Sequence, residues 1–277
     1  MRVSVNVLSR NGNATSTCSA LAKGISRSGD TAIIRTERDN DMSGFNAAVL
    51  WGYVTPCQDI VKRCRTMGIP FVFIDLGYWK RDKDGYFKVT LNERHPHLYL
   101  MKHKMHDDRF KRLDLEIKPW RKPSDGHILI AGMSGKAAWS YKLGAQEYER
   151  DVAAQLSKLT KRRLVYRPKP NWVEAQKIAN TSFDRTTPLD KALSGAHCVV
   201  THHSNVGCDA IIAGVPVISK IGAASVLQPY DLGMIERLQC DGDRQQWANN
   251  VAYCQWTLKE MASGECWNHL KAIGLNQ

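Results

Sequence analysis

The sequence predicts an α/β fold built from two domains with parallel sheets, and three observations carry the prediction. Short apolar runs alternate with stretches of helical apolar spacing along most of the chain. Several runs, such as 47–51 and 69–74, are almost continuously apolar, the pattern of strands buried on both faces. A length of 277 residues allows two domains of ordinary size, each with its own core.

Residues 2–8, Arg-Val-Ser-Val-Asn-Val-Leu, alternate as a first strand, and 9–15 is a polar, glycine-containing loop where a ligand would lie. Leu21, Ala22 and Ile25 give 14–26 helical spacing, Gly29 stops it, and 31–35 is a second strand. A third strand at 47–51, a helix at 56–67 with proline in its first turn, and a fourth strand at 69–74 follow. The first loop lacks Gly-x-Gly-x-x-Gly, so no dinucleotide fingerprint is present. From 77 to 122 the alternation breaks down into an insertion with surface character, with 86–91 and 98–101 as short candidate strands. Residues 119–124, rich in proline and basic groups, read as a linker. The second domain then shows a strand at 127–131, a loop at 132–137, a helix at 147–159, a strand at 163–167 and a strand, turn, helix and strand within 199–219. Within 244–270, Trp247, Val251, Cys254, Leu258 and Met261 recur at helical spacing as a core-facing stripe. The predicted architecture is two Rossmann-like domains, 1–122 and 123–277.

Composition narrows the function classes. No apolar run reaches the length of a membrane span, and Met-Arg-Val-Ser-Val-Asn-Val lacks the apolar core of a signal peptide. Eight scattered cysteines without a Cys-x-x-Cys pair read as reduced, cytoplasmic thiols rather than a disulfide frame or zinc site. A net charge of +12 asks for an anionic partner. Between Lys80 and Lys122 there are 13 Lys or Arg against 7 Asp or Glu, interleaved with Tyr78, Trp79, Tyr86, Phe87, Tyr99, Phe110 and Trp120. Basic plus aromatic composition suits nucleic acid, with Lys80, Arg81, Lys102, Lys104 and Lys111 as contacts; a solvated basic face is the plainer alternative.

The chemistry-bearing residues cluster at predicted strand ends. In 199–219 the polar run Thr201 to Asn205 ends a strand, a helix begins with Ser204 or Asn205 as its cap, and Gly214 stops it. Such a turn directs first-turn amides toward an anion. Ser204 and Asn205 can donate to phosphate oxygens, Gly207 lets a ligand approach the backbone, and Asp209 can accept from ribose hydroxyls. Gly132-Met-Ser-Gly-Lys136 offers Ser134, Gly135 and Lys136 to a diphosphate without being a Walker loop. Arg167-Pro-Lys-Pro170 brings Arg167 and Lys169 to a third strand end. Of His202 and His203, either one, His203 being the candidate, contacts a ligand phosphate, or one is buried and hydrogen-bonded while the other is exposed. No metal-ligand set accompanies them, and Ser204 lacks a Gly-x-Ser-x-Gly elbow. In 229–236, Asp231 and Glu236 are candidates to reach ligand hydroxyls. Asp75 follows the strand 70–74 and is the candidate base for a hydroxyl nucleophile, or else a cap of the next turn; Asp82 and Asp84 stand next.

The run His203-Ser-Asn-x-Gly-x-Asp-Ala-x-x-x-Gly-x-Pro-Val-Ile218 resembles the nucleotide-sugar-binding segment of GT-B glycosyltransferases. Asp209 departs from that superfamily, where the acidic residue is mostly glutamate. The Arg-Pro-Lys-Pro turn is similar to one in GT-B families of polymer-building transferases, where its basic residues lie near the donor. Asp75 occupies a position similar to the catalytic aspartate of bacteriophage DNA glucosyltransferases. The resemblance implies that the two domains face each other across a cleft, GT-B-like, and that the donor is a nucleotide-diphosphate sugar, a UDP-sugar foremost, with its phosphates on the second domain and the acceptor on the first. It also implies a last helix that returns to the N-terminal domain. Joined to the basic segment and the short chain, it implies hydroxymethylated bases of double-stranded DNA as acceptor, flipped into the cleft of a monomer in the host cytoplasm of a phage-encoded protein. Two rival readings stand: a transferase building a cell-surface or capsule polymer, and a non-catalytic nucleic-acid-binding α/β protein. The divalent-metal requirement is left open.

Overall fold

A computed structural model describes residues 1–8, 10–81, 85–121 and 126–275, which form two compact units, Met1–Pro96 with Ala252–Gln277 and His97–Val251. The division falls at Pro96 rather than near 122, and the C-terminal segment belongs with the first unit.

The first unit opens with β1 (Arg2–Val7), α1 (Gly12–Arg27), β2 (Thr31–Thr36), β3 (Ala47–Trp51), α2 (Thr55–Met67), β4 (Phe71–Leu76) and β5 (Phe87–Leu91). β2, β1, β3 and β4 are parallel neighbours, and β5 runs antiparallel to β4. α1 starts within the stretch expected to be loop because the Asn11 side chain accepts from the Ala14 amide at 3.1 Å and caps the helix early. Gly68, left-handed at φ 67°, ends α2. β4 runs on past Ile74 because β5 pairs with it as far as Leu76, so Asp75 lies inside the strand rather than after it.

The second unit contains α3 (His97–Lys102), α4 (Asp108–Arg112), β6 (His127–Ala131), α5 (Gly135–Ser140), α6 (Glu147–Leu159), β7 (Leu164–Arg167), β8 (Ser182–Phe183), α7 (Leu189–Ser194), β9 (Ala196–Thr201), α8 (Val206–Ile212), β10 (Val217–Ser219) and α9 (Arg244–Ala252). Its five strands, in the order β10-β9-β6-β7-β8, are all parallel. Every strand therefore ends on the same edge, the edge that binds ligands in open α/β sheets. The strand expected at 98–101 is helix: Pro96 precedes it, and Leu100 is buried while Leu98 and Met101 stay exposed, a one-sided burial. The expected linker is fastened down where it is described. The Lys118 amide donates to Ile212 O and that of Arg121 to Gly214 O, both at 2.9 Å; residues 122–125 lie outside the described residues.

The chain then returns to the first sheet as β11 (Gln255–Trp256), antiparallel to β5, followed by α10 (Leu258–Ser263) and α11 (Glu265–Leu270). The stripe expected over 244–270 is thus three helices and a strand. A Thr257–Glu260 capping box starts α10, and Gly264 at φ 98° separates it from α11. α10 crosses α1 at Gly24, and fully buried Trp267 on α11 donates to Asp30 Oδ2 at 2.8 Å. Burying an indole of this kind adds about 1.5–3 kcal/mol or more of hydrophobic stabilisation.

Candidate functional site

The register of the second sheet aligns four strand ends: Ala131 pairs with Arg167 on one side and Thr201 on the other, and Thr201 with Ser219. The turns after them carry most of the residues expected to hold a donor. After β9, Thr201 Oγ1 donates to Ala131 O at 2.9 Å and accepts from the Ser204 amide at 3.2 Å, tying this turn to the next strand. Ser204 Oγ accepts from the Val206 amide at 3.3 Å, whereas the Asn205 side chain, at the cap position, makes no capping hydrogen bond.

After β6 the helix begins sooner than expected, at Gly135. Ser134 Oγ caps it by accepting from the Ala137 amide at 3.3 Å. Gly135 lies on the Trp172 indole, since a Cβ there would stand 3.3 Å from Cζ2. Lys136 and Lys169 are exposed. Arg167, with its side chain only 10% exposed, has Nη1 3.3 Å from Asp184 Oδ2. Burial by itself would raise the Asp184 carboxyl, but the Thr187 amide and hydroxyl, Arg167 and the Thr186 amide together hold it below its ordinary value. Asp184 therefore aims Arg167 and balances part of its charge.

His202 is buried, with Nδ1 2.9 Å from Nδ1 of half-buried His203. One ring must donate and the other accept. The Tyr141 ring lies 4.6 Å from His202 and 5.0 Å from His203, and Tyr148 meets His202 edge-on at 5.1 Å. Sequence reasoning missed Tyr141, Tyr148 and Trp172. They come from helix and loop positions whose apolar spacing carried no mark of a site.

Gly207 is closely packed: a Cβ on it would sit 2.9 Å from Ala224 Cβ and 3.4 Å from Val217 Cγ1. One expectation, a sugar contact for Glu236, is corrected here. Glu236 is held by Arg162 Nε at 3.0 and 3.1 Å and by Thr160; Arg162 also reaches Gly126 O, so Glu236 lies at the amino edge of the sheet, away from the strand ends. Asp231 Oδ1 accepts from the Gly233 amide at 2.8 Å and caps a short turn. Asp209 is half-buried on α8.

In the first unit, Asp75 pairs across the hairpin with Lys88. Its Oδ2 is 3.8 Å from Nζ, the lysine side chain being 5% exposed and the carboxylate 39%. Lys88 also lies 5.1 Å from the centre of the Phe73 ring. Asp82 and Asp84 lie outside the described residues.

The basic segment is not one surface of one domain. Lys80 and Arg81 belong to the first unit, and Lys102, Lys104 and Lys111 to the second. Lys111 is paired with Asp107 at 2.8 Å. Tyr78, Trp79, Phe87 and Phe110 are at most 5% exposed, so their interleaving reflects core packing rather than a stacking platform. Among the described residues no cluster of three His, Cys, Asp or Glu is arranged to hold a metal, and no helix is long and apolar enough to cross a membrane.

No protein family matches the chain, and no curated protein sequence does. Solved structures do match. The chain is similar to the KpsC beta Kdo 2,4 transferase of Thermosulfurimonas dismutans, with 12% identity, a TM-score of 0.54, and 93% of this chain and 92% of that chain covered. It also aligns with the KpsC beta Kdo 2,7 transferase of the same organism at 12% identity and a TM-score of 0.49, over 97% of this chain and 100% of that one. The fold is mixed α/β with parallel sheets, and these neighbours are of the GT-B type.

Proposed function

We propose that the chain is a glycosyltransferase that moves a sugar from a nucleotide sugar to a hydroxyl acceptor. The carrying observation is the alignment of the four strand ends in the second unit, whose turns hold Ser134, Gly135, Lys136, Arg167, Lys169, His203, Ser204 and Asn205. Hydroxyl, amide and cationic groups in that arrangement suit the phosphates of the leaving nucleotide, where negative charge grows as the bond to the sugar breaks. Asp209 is assigned to the ribose. In the first unit Asp75 takes the proton of the acceptor hydroxyl as its oxygen bonds to the anomeric carbon. The first unit is thus the acceptor side and the second the donor side.

For the acceptor, a saccharide hydroxyl is the better-supported class. The Arg167-Pro-Lys-Pro turn and the nearly full-length likeness to a beta Kdo 2,4 transferase both favour it. Hydroxymethylated DNA is the second reading, favoured by the net charge of +12 and by exposed Lys102 and Lys104. A thermal-shift screen across nucleoside mono- and diphosphate sugars, UDP-sugars included, followed by transfer assays on oligosaccharides and on hydroxymethylated DNA, tests both steps. Arg167→Ala and Ser204→Ala should each weaken the donor roughly 10- to 150-fold, the ratio for a charge-assisted bond of about 1.5–3 kcal/mol. Folded variants that bind a nucleotide sugar as the parent does would remove the donor from this edge.

A further inference from the structure

Beneath the turn after β6 lies a carboxyl group that neither holds the donor nor takes the acceptor proton. Glu149, in the first turn of α6, is fully buried. Its Oε1 accepts from the Met133 amide at 2.6 Å, and its Oε2 has no hydrogen-bond partner. The turn is shaped to lie over it. A Cβ on Gly132 would stand 2.8 Å from Cε2 of the fully buried Tyr166 ring and 3.3 Å from Glu149 Oε1. Only a residue without a side chain lets the strand end pass this close to both.

Burying a carboxyl with one oxygen unpaired is unfavourable, and a methionine or leucine on the same helix face would fill the space without that penalty. The residue is therefore explained by what its other oxygen does. Burial pushes the Glu149 carboxyl up, with the Met133 amide pulling it the other way.

We infer that Glu149 is a positioning residue of the donor site, holding the Met133 amide from below and so fixing Ser134 and Lys136, one and three residues further on. The inference rests on reading that edge as the donor site. Met133 is itself buried, so water does not replace the acceptor when it is removed. A loosened turn then spreads Ser134 and Lys136 over several orientations, and donor binding bears the loss while the chemical step is spared.

Two variants and two readouts test this. Glu149→Gln keeps an acceptor oxygen in place; Glu149→Met keeps the bulk and removes it. In Glu149→Met, hydrogen exchange at the amides of Met133 to Gly135 should accelerate by roughly tenfold or more, and the donor KM should rise roughly tenfold with kcat within about twofold of the parent. Glu149→Gln should match the parent in both. A Glu149→Met protein with unchanged exchange and unchanged KM overturns the inference, as does a Glu149→Gln protein as impaired as the methionine variant. Failure of the parent to bind any nucleotide sugar would instead overturn the donor reading. The exchange readout would then still decide whether Glu149 anchors the turn. Should Glu149→Met not fold, the same comparison is made with Glu149→Leu.

Discussion

Replacing Gly24 by alanine tests the return of the C-terminal segment to the first unit. A Cβ at this position would lie 1.9 Å from Met261 O, 3.1 Å from Met261 C and 3.2 Å from Gly264 Cα. Carbon atoms in good contact sit about 3.5–4 Å apart, so α1 and α10 must separate by roughly 1.5 Å. The obstructing atoms are backbone, which no rotamer change can clear. Alanine gains about 1 kcal/mol over glycine in a helix interior, and overpacking costs about 1–3 kcal/mol or more, with a backbone collision at the upper end. The net expectation is a loss of about 1–2 kcal/mol. Urea unfolding followed by tryptophan fluorescence measures it, because Trp267 and Trp256 are buried in the same core. A variant as stable as the parent or more so, with the same urea dependence, would refute the packing of α10 on α1.

Other expectations concern the site. Asp75→Asn should lower kcat roughly a hundredfold or more and leave donor affinity near that of the parent; its folding is checked alongside, since Lys88 loses its 3.8 Å partner. Glu149→Gln should alter the pH dependence of stability. The folded carboxyl is raised above its usual 4.5 by burial, opposed by the Met133 amide and Arg150, with Tyr148 and Tyr166 beside it. Its contribution is thus fully present below 4.5 and lost as pH rises through the folded value, so the glutamine variant should gain on the parent as pH rises above 4.5, read by urea unfolding at a series of pH values. A difference that does not change with pH would show that the group is not buried as described. Reversing the charge of Lys102, Lys104 and Lys111 should flatten the salt dependence of any duplex-DNA binding by roughly one unit for each phosphate no longer neutralised. Weak duplex binding at low salt would leave the saccharide acceptor standing alone.

The central elements were legible because their signals are local. The apolar run 127–131 and the helix 147–159 stand where periodicity puts them, Ser134 and Ser204 follow strands that the sequence marks, and Arg167 ends one. What could not be read depends on partners distant in sequence. Asp75 lies within a strand because β5 extends the pairing, and β5 in turn is met by β11 from the far end of the chain. Helical spacing over 244–270 concealed a strand because Gly264 and the Thr257 cap break the helix at points that the apolar stripe runs across. Aromatic residues among basic ones looked like a nucleic-acid surface, yet burial removes Tyr78, Trp79, Phe87 and Phe110 from it. Glu149 gave no signal at all, since its role depends on the Met133 amide sixteen residues away.

The claim that the carboxyl edge of the second sheet holds the donor is tested most directly by residue-resolved hydrogen exchange on the intact chain, with and without a saturating nucleotide sugar chosen from the screen. Protection should appear at the turns 132–136, 167–169 and 202–205, while Arg162 and Glu236 at the amino edge of the same sheet stay unchanged. Protection centred on the amino edge, or confined to the first unit, would contradict the account.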